Sequence, residues 1–180
     1  MTNVDRKTLP ASFLLVLTMM YKRRFTKEQA LQKLKHYCAY QERCMQDVKD
    51  KLFELRISKK YHDEMINHMV ENNILNEERF AIAFATGKFR INQWGKIKIR
   101  YELKQRKINE DYIRKALQQI DQSNYEDVLN VMAKEKYDSL KTEQYLIRKK
   151  KALDYLLQKG FESGLINKVL SQLTAKIKEQ

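Results

Sequence analysis

The sequence predicts an all-α protein made of three tandem three-helix repeats. Only four glycines and one proline interrupt 180 residues, and Lys, Glu, Gln, Leu and Arg, which favour helices, are abundant. Hydrophobic residues make up 43% of the chain and recur at helical spacing. One pattern of such residues then occurs three times along the chain. We therefore expect an elongated, curved molecule in which neighbouring repeats pack in series.

Residues 1–25 are predicted to form an extension outside the repeats. Ala11 to Met20 is an apolar run, but it is shorter than the roughly 20 residues that cross a bilayer. The basic residues that follow do not form a signal-peptide cleavage site. Two interpretations stay open: a helix that docks on the neighbouring repeat, or a translation start at Met19 or Met20 with non-native residues upstream. No membrane association is expected.

The three repeats are placed at residues 26–75, 76–123 and 124–180. They align on a leucine that lies five positions before another apolar residue. The three pairs are Leu52 and Ile57, Leu103 and Ile108, and Leu156 and Phe161. Positions 4, 5, 8, 9 and 12 after the second residue of each pair trace one face of a helix. Fourteen of those fifteen positions are apolar or aromatic, so each repeat should end in an amphipathic helix.

Each repeat is predicted to begin with a helix, at roughly 26–40, 76–90 and 124–140, and to continue with a second helix that ends near the aligned leucine. Ser58, Asn76, Asn109 and Asn124 stand where helices should start and are good N-cap residues. His62 is the one polar residue at the fifteen positions. We expect it at the edge of the core, with one ring nitrogen in water.

The segment from Trp94 to Ile108 combines the only tryptophan with a dense run of basic residues. Its alternating pattern could indicate a strand, but helical flanks and the repeat alignment favour a helix with Ile99 and Leu103 facing the core. Gly95 is then an acceptable N-cap. The predicted binding surface comprises Lys88, Arg90, Trp94, Lys96, Lys98, Arg100, Lys104, Arg106 and Lys107. A secondary basic patch is predicted at Arg148, Lys149, Lys150 and Lys151.

The net charge of +13 and the pI of about 9.6 favour a polyanionic partner, either nucleic acid or an acidic protein surface. Residues 76–123 carry eleven basic and six acidic residues, and between Lys88 and Lys107 the only acid is Glu102. Aromatic residues beside such a run suit a surface that contacts phosphates. The middle repeat is therefore the predicted contact region.

No catalytic or metal site is expected. The sequence has no phosphate-binding glycine loop, no nucleophile elbow and no pair of histidines one helical turn apart. Cys38 and Cys44 are the only cysteines, and their spacing fits neither a redox pair nor half of a zinc site. We expect both thiols to be reduced, as in the cytoplasm, and we expect no cofactor.

The chain resembles the RecX family of bacterial regulators of the RecA recombinase. The resemblance covers about residues 26–175 and is most specific in WGKIKIRYELKQRKI at 94–108, ILNEERFAIAF at 74–84 and LLQKGFESGLINKVL at 156–170. The family's turn glycine is kept at Gly160 but replaced by Arg56 and Lys107. Those two turns then need a left-handed non-glycine residue or a different geometry.

The resemblance implies a non-catalytic, cytoplasmic protein that binds RecA filaments on DNA and restrains filament growth, ATPase activity and strand exchange. It also implies direct binding to single- and double-stranded DNA without sequence preference. Two alternatives remain: a free-standing DNA-binding protein, since helix-turn-helix proteins also use three-helix units, or a scaffold for another acidic protein. No coiled-coil heptads indicate an obligate dimer, and a monomer is expected.

Overall fold

The computed structural model describes residues 25–178, with side chains to residue 175. The predicted apolar extension therefore lies outside the described residues. Nine α-helices and one short 3-10 helix fill the described part, which contains no strand and no helix able to cross a membrane. Unit 1 contains α1 (Lys27–Tyr40), α2 (Met45–Glu54), the 3-10 helix (Lys59–Tyr61) and α3 (His62–Glu71). Unit 2 contains α4 (Glu77–Asn92), α5 (Lys96–Gln105) and α6 (Glu110–Gln118). Unit 3 contains α7 (Gln122–Asp138), α8 (Tyr145–Lys159) and α9 (Ser163–Lys178).

Helices α1, α4, α6 and α7 begin at short polar side chains that accept hydrogen bonds from backbone N–H groups. Asn76 accepts from Arg79 at 3.0 Å and caps α4, and Asn109 caps α6. Asn124 was expected to cap α7, but that prediction is wrong because Asp121 takes the role and accepts from the Asn124 N–H at 2.7 Å. Ser58 precedes the 3-10 helix without a side-chain cap bond.

The predicted helical face contributes buried residues to every unit, although Tyr61 lies in the 3-10 helix and is 37% exposed. Leu52, Leu103 and Leu156 are fully buried, as the alignment requires. His62 departs from its prediction because it is buried, with 4% of its surface exposed, and not at a wet edge. Its Nε2 lies 3.0 Å from the carbonyl oxygen of Ile57, and its ring packs edge-on against Phe53. This backbone bond offsets the cost of burying the imidazole.

The turn between the second and third helices of each unit uses the left-handed region of φ. Arg56 has a φ of 56°, Lys107 of 59° and Gly160 of 90°. Of the two geometries left open for Arg56 and Lys107, the left-handed one is formed, and these two turns accept the cost of a non-glycine residue there. The turn of unit 3 keeps a glycine because Gly160 packs closely against α5.

The buried residues form two cores. One belongs to unit 1 alone and includes Leu34, Val48 and Met69. The other runs continuously through units 2 and 3 and takes in Cys44 from unit 1. Hydrogen bonds and ion pairs between units, within the described part of the chain, join only neighbours in sequence. Packing is therefore serial, but the two joints are unequal.

Candidate functional site

Helix α5 lies at the centre of the candidate site. Ile99 and Leu103 of this helix are fully buried. Ile97 and Tyr101, which alternate with the basic residues, are 53% and 59% exposed. The prediction of a helix, and not a strand, within Trp94–Ile108 is confirmed for Lys96–Gln105. Because successive basic residues point in different directions around the helix, α5 carries charge on two separate surfaces.

The first surface is an aromatic–basic ladder formed by Phe84, Lys88, Trp94, Lys98 and Arg106. The Lys88 ammonium lies 5.4 Å from the ring centre of Phe84 and 5.0 Å from that of Trp94. Lys98 lies 4.6 Å from Trp94, and the Arg106 guanidinium lies 4.9 Å from Phe84. These distances are typical of cation–π contacts. The rings hold the cations at the surface in a defined order along α4 and α5.

The charge on the ladder is only partly neutralised. Arg106 pairs with Glu102 at 3.1 Å. Lys88 and Lys98 have no carboxylate within ion-pair distance among the described side chains. These two lysines are therefore free to meet an anionic partner without first breaking an internal ion pair.

The second surface is the basic row of Lys96, Arg100 and Lys104, spaced by four residues along α5. Arg100 and Lys104 share Glu110 of α6, at 3.2 and 3.1 Å. Lys96 donates to the side chain of Gln122 at 2.9 Å and lies over the Tyr125 ring. The row borders a groove of about 390 Å³ that Arg114 and Glu162 also line. Glu110 thus partly neutralises the charge of the basic row.

The remaining predicted residues do not join either surface. Arg90 and Lys107 are exposed and make no ion pair within the described side chains. In the predicted secondary patch, the Arg148 guanidinium stacks on Tyr137 at 3.6 Å and bonds the Tyr137 carbonyl and Asp138, which leaves its side chain 15% exposed. Lys151 pairs with Glu143. Only Lys149 and Lys150 of that block present unpaired cations among the residues described.

The N-terminus of α5 is held by unit 3. The N–H groups of Gly95 and Ile97 donate to the carbonyl oxygens of Lys159 and Gly160, at 2.8 and 3.0 Å. Helix α8 therefore ends where α5 begins, and the unbonded groups of both helix ends satisfy each other. A Cβ on Gly95 would lie 2.1 Å from the Gly160 oxygen, so the close approach requires glycine.

A buried tyrosine completes this joint. The Tyr125 hydroxyl accepts from the Lys96 N–H at 3.0 Å and donates to Glu162 at 2.7 Å. Burial raises the pKa of this phenol well above its usual value, and the Glu162 carboxylate acts in the same direction. The hydroxyl thus stays protonated and holds α5 in a fixed position over unit 3.

Sequence reasoning missed four of the residues that shape the site. Phe84 could have been found, because it lies four residues before Lys88 and therefore on the same helical face. Tyr125, Gly160 and Glu162 could not, since they come from unit 3 and reach α5 only through tertiary packing. Within the described residues, no cluster of His, Cys, Asp and Glu could hold a metal ion.

Fold and site together define a tandem three-helix repeat protein whose middle unit presents aromatic and basic side chains on two surfaces. Two family models match the chain. The model described as RecX, second three-helix domain, covers residues 76–117, and that described as RecX, third three-helix domain, covers residues 124–170. The chain belongs to the RecX family.

Individual relatives agree with this assignment. The chain is similar to a protein of Bacillus cytotoxicus named regulatory protein RecX, with 26% identity over 76% of this chain and 51% of that protein. It therefore spans about half the length of that relative. A second regulatory protein RecX, from Prosthecochloris aestuarii, is 29% identical over 81% of this chain and 93% of its own. The crystal structure of RecX from Lactobacillus salivarius has a TM-score of 0.72 at 22% identity and covers 82% of this chain and 96% of that one. This last likeness shows the fold.

Proposed function

We propose that this chain binds the RecA recombinase and its filaments on DNA, in the cytoplasm, and restrains filament growth, ATPase activity and strand exchange without catalysing a reaction. The observation that carries the proposal is the aromatic–basic ladder, where Lys88 and Lys98 are held against Trp94 and lack internal ion pairs. A filament exposes acidic protein and DNA together, so either component can meet these cations.

Direct DNA binding belongs to the same proposal, and it should be independent of base sequence. In a helix-turn-helix reader, the N-terminal residues of the recognition helix contact base edges. The third helix of unit 2, α6, instead begins with Glu110 and Asp111, and its cations Arg114 and Lys115 pair with Asp111 and Glu78. These charges favour contact between the ladder and the phosphate backbone of DNA, and they disfavour insertion of α6 into a DNA groove.

The test compares two charge-reversal pairs on α4 and α5. We expect Lys88→Glu with Lys98→Glu to raise the concentration that half-inhibits RecA ATPase on single-stranded DNA by at least about tenfold. Lys96→Glu with Arg100→Glu should have a smaller effect, because Arg100 is already paired with Glu110. The matched control is Lys134→Glu with Lys168→Glu, which changes charge equally at two exposed lysines of unit 3 that make no ion pair among the described side chains and should leave inhibition unchanged.

Three outcomes separate the hypotheses. Loss of inhibition by the ladder pair with an unchanged unfolding midpoint supports the proposal. Unchanged inhibition in both charge-reversal pairs of unit 2 would remove that unit from the mechanism. The third outcome is DNA binding without any effect of the native chain on RecA, and it would favour the free-standing DNA-binding protein. In that case the DNA affinity should fall with salt, with a log–log slope of about −0.7 to −0.9 per phosphate contact.

A further inference from the structure

A second feature of unit 2 is a groove along α4, which we call the α4 groove. It has a volume of about 260 Å³ and is lined by one face of α4, including Phe80, Phe84, Gly87 and Ile91, with Glu42 of unit 1 on its other side. These α4 residues are spaced by four, three and four positions and so share a face. The volume is below the roughly 300–1,000 Å³ of small-molecule sites, and it suits one or two protein side chains.

The groove is open and apolar. Ile91, which also lines the groove, is 82% exposed and extends the apolar surface toward solvent. The Phe84 ring forms part of the floor and is also the ring over which Lys88 and Arg106 lie. The apolar groove and the aromatic–basic ladder therefore share one residue and form a continuous surface.

Gly87 gives an independent indication that something approaches this face. A glycine inside a helix costs about 1 kcal/mol relative to alanine. A Cβ added to Gly87 would have no atom within 4 Å, so no contact inside the protein requires glycine there. Its missing side chain leaves the backbone of α4 accessible at the middle of the groove, which permits the close approach of another chain.

Charge identifies the kind of partner that fits. Glu42 is the acidic residue on the groove, and Arg79 pairs with it at 2.9 Å. Lys88, which also lines the groove, has no carboxylate partner among the described side chains. The uncompensated charge at the groove is thus positive, and the side-chain amides of Gln41 and Asn92 are the other donors of a mainly apolar lining. Such a lining suits a protein segment with one carboxylate better than a run of phosphates.

We infer that the α4 groove is a docking site for a protein segment that places an apolar side chain against Phe84 and Ile91 and a carboxylate beside Lys88. The inference rests on the proposed function, in which the segment belongs to RecA. The groove would supply the apolar anchor of the interface and the ladder its charged rim, which is the usual division within protein interfaces.

The experiment fills the groove. Gly87→Leu adds a side chain where the folded protein has space, and Ile91→Asp places a like charge beside the incoming carboxylate. Both should weaken binding of the full chain to RecA filaments on single-stranded DNA by about tenfold or more, as measured by fluorescence anisotropy. The matched controls are Gly164→Leu on α9, where a Cβ also meets no atom within 4 Å, and Val131→Asp on exposed α7 surface.

Binding to single-stranded DNA alone and the thermal unfolding midpoint are measured for every variant. DNA binding should stay unchanged in Gly87→Leu, which alters no charge, and this variant should unfold at the same or a higher temperature. If the native chain binds RecA and Gly87→Leu binds equally well, the groove inference is overturned while the proposed function stands. If both groove variants lose DNA binding in the same proportion, the occupant is nucleic acid and the inference is also overturned. A native chain that does not bind RecA overturns both.

Discussion

At the residue scale, Gly160 shows why one of three equivalent turns keeps a glycine. All three turn residues have positive φ, yet Arg56 and Lys107 accept that conformation with full side chains. The difference lies outside the turn: a Cβ on Gly160 would meet the Lys98 Cβ at 2.2 Å and its backbone nitrogen at 2.6 Å. Close contact with α5, more than backbone strain, therefore explains this glycine.

Gly160→Ala should lower the free energy of unfolding by about 2–5 kcal/mol, since steric overlap adds to the cost of positive φ. The midpoint of urea unfolding, with the slope checked for constancy, measures this change. Gly164→Ala is the matched control and should be neutral or slightly stabilising. Equal midpoints for the two variants would contradict the assigned contact.

The Tyr125 hydroxyl gives a pH-dependent prediction. Its pKa is raised in the folded protein, while in the unfolded chain it should titrate near 10. The folded state thus holds a proton that the unfolded state loses, so its contribution is complete below about pH 10 and is lost as the pH rises above that value, by about 1.4 kcal/mol per pH unit.

We expect Tyr125→Phe to cost about 1–3 kcal/mol at pH 8, because the Lys96 N–H and Glu162 lose their partner. The difference in stability between native chain and variant should then narrow from pH 10 to pH 11. Urea unfolding at pH 8, 10 and 11 provides the measurement. A difference that stays constant over this range would show that the phenol titrates alike in both states.

At the element scale, the N-terminus of α5 differs from its counterpart in unit 1. The first N–H groups of a helix usually face solvent, but those of Gly95 and Ile97 bond unit 3 carbonyl oxygens. At the start of α2, the Met45 N–H instead donates to the side chain of Glu77 at 3.3 Å. The start of α5 is therefore held by backbone carbonyl groups of unit 3, whereas the equivalent start of α2 is held by the carboxylate of Glu77.

Hydrogen exchange should resolve this contrast. We expect the Gly95 and Ile97 amides to exchange as slowly as amides in the interior of α5, whereas the Met45 amide should exchange faster by at least about tenfold. Exchange followed by NMR in the native chain tests both. Fast exchange at Gly95 and Ile97 would mean that the joint between units 2 and 3 opens readily.

At the scale of the whole molecule, units 2 and 3 share one core, whereas unit 1 has its own. The ion pair between Glu42 and Arg79 that links unit 1 to unit 2 is partly exposed, and such pairs contribute about 0–1 kcal/mol. A core formed by some 50 residues is marginal by itself. Unit 1 should therefore unfold before the rest.

The chain contains probes for this order. Cys38 lies in the core of unit 1, and Cys44 is fully buried at the edge of the core that continues through units 2 and 3, where burial raises its pKa to about 11. At pH 8 both thiols should resist iodoacetamide in the native protein and react at lower urea concentrations than those that change Trp94 fluorescence. Mass spectrometry identifies the labelled residue. Coincident labelling and fluorescence transitions would show a single cooperative molecule.

Much of the fold could be predicted because the repeated hydrophobic pattern depends only on local geometry. The buried positions Ile113 and Ile166 follow from the repeated spacing, and the helix within Trp94–Ile108 follows from its helical flanks and the repeat alignment. The errors also have local causes: Asp121 and Asn124 are both good caps, and spacing does not choose between them. The spacing also predicts His62 at the solvent-exposed edge of the core, since its bond to the Ile57 carbonyl forms only in the folded chain.

The sequence by itself determined that this protein is helical, repeated three times and most basic in its middle unit, because helix propensity, periodicity and charge are properties of neighbouring residues. Only the tertiary structure decided how that charge is used. It divided the predicted surface into an aromatic–basic ladder and a partly neutralised row, turned Arg148 inward and opened a groove along α4. These outcomes depend on contacts between residues far apart in the chain, which no local pattern specifies.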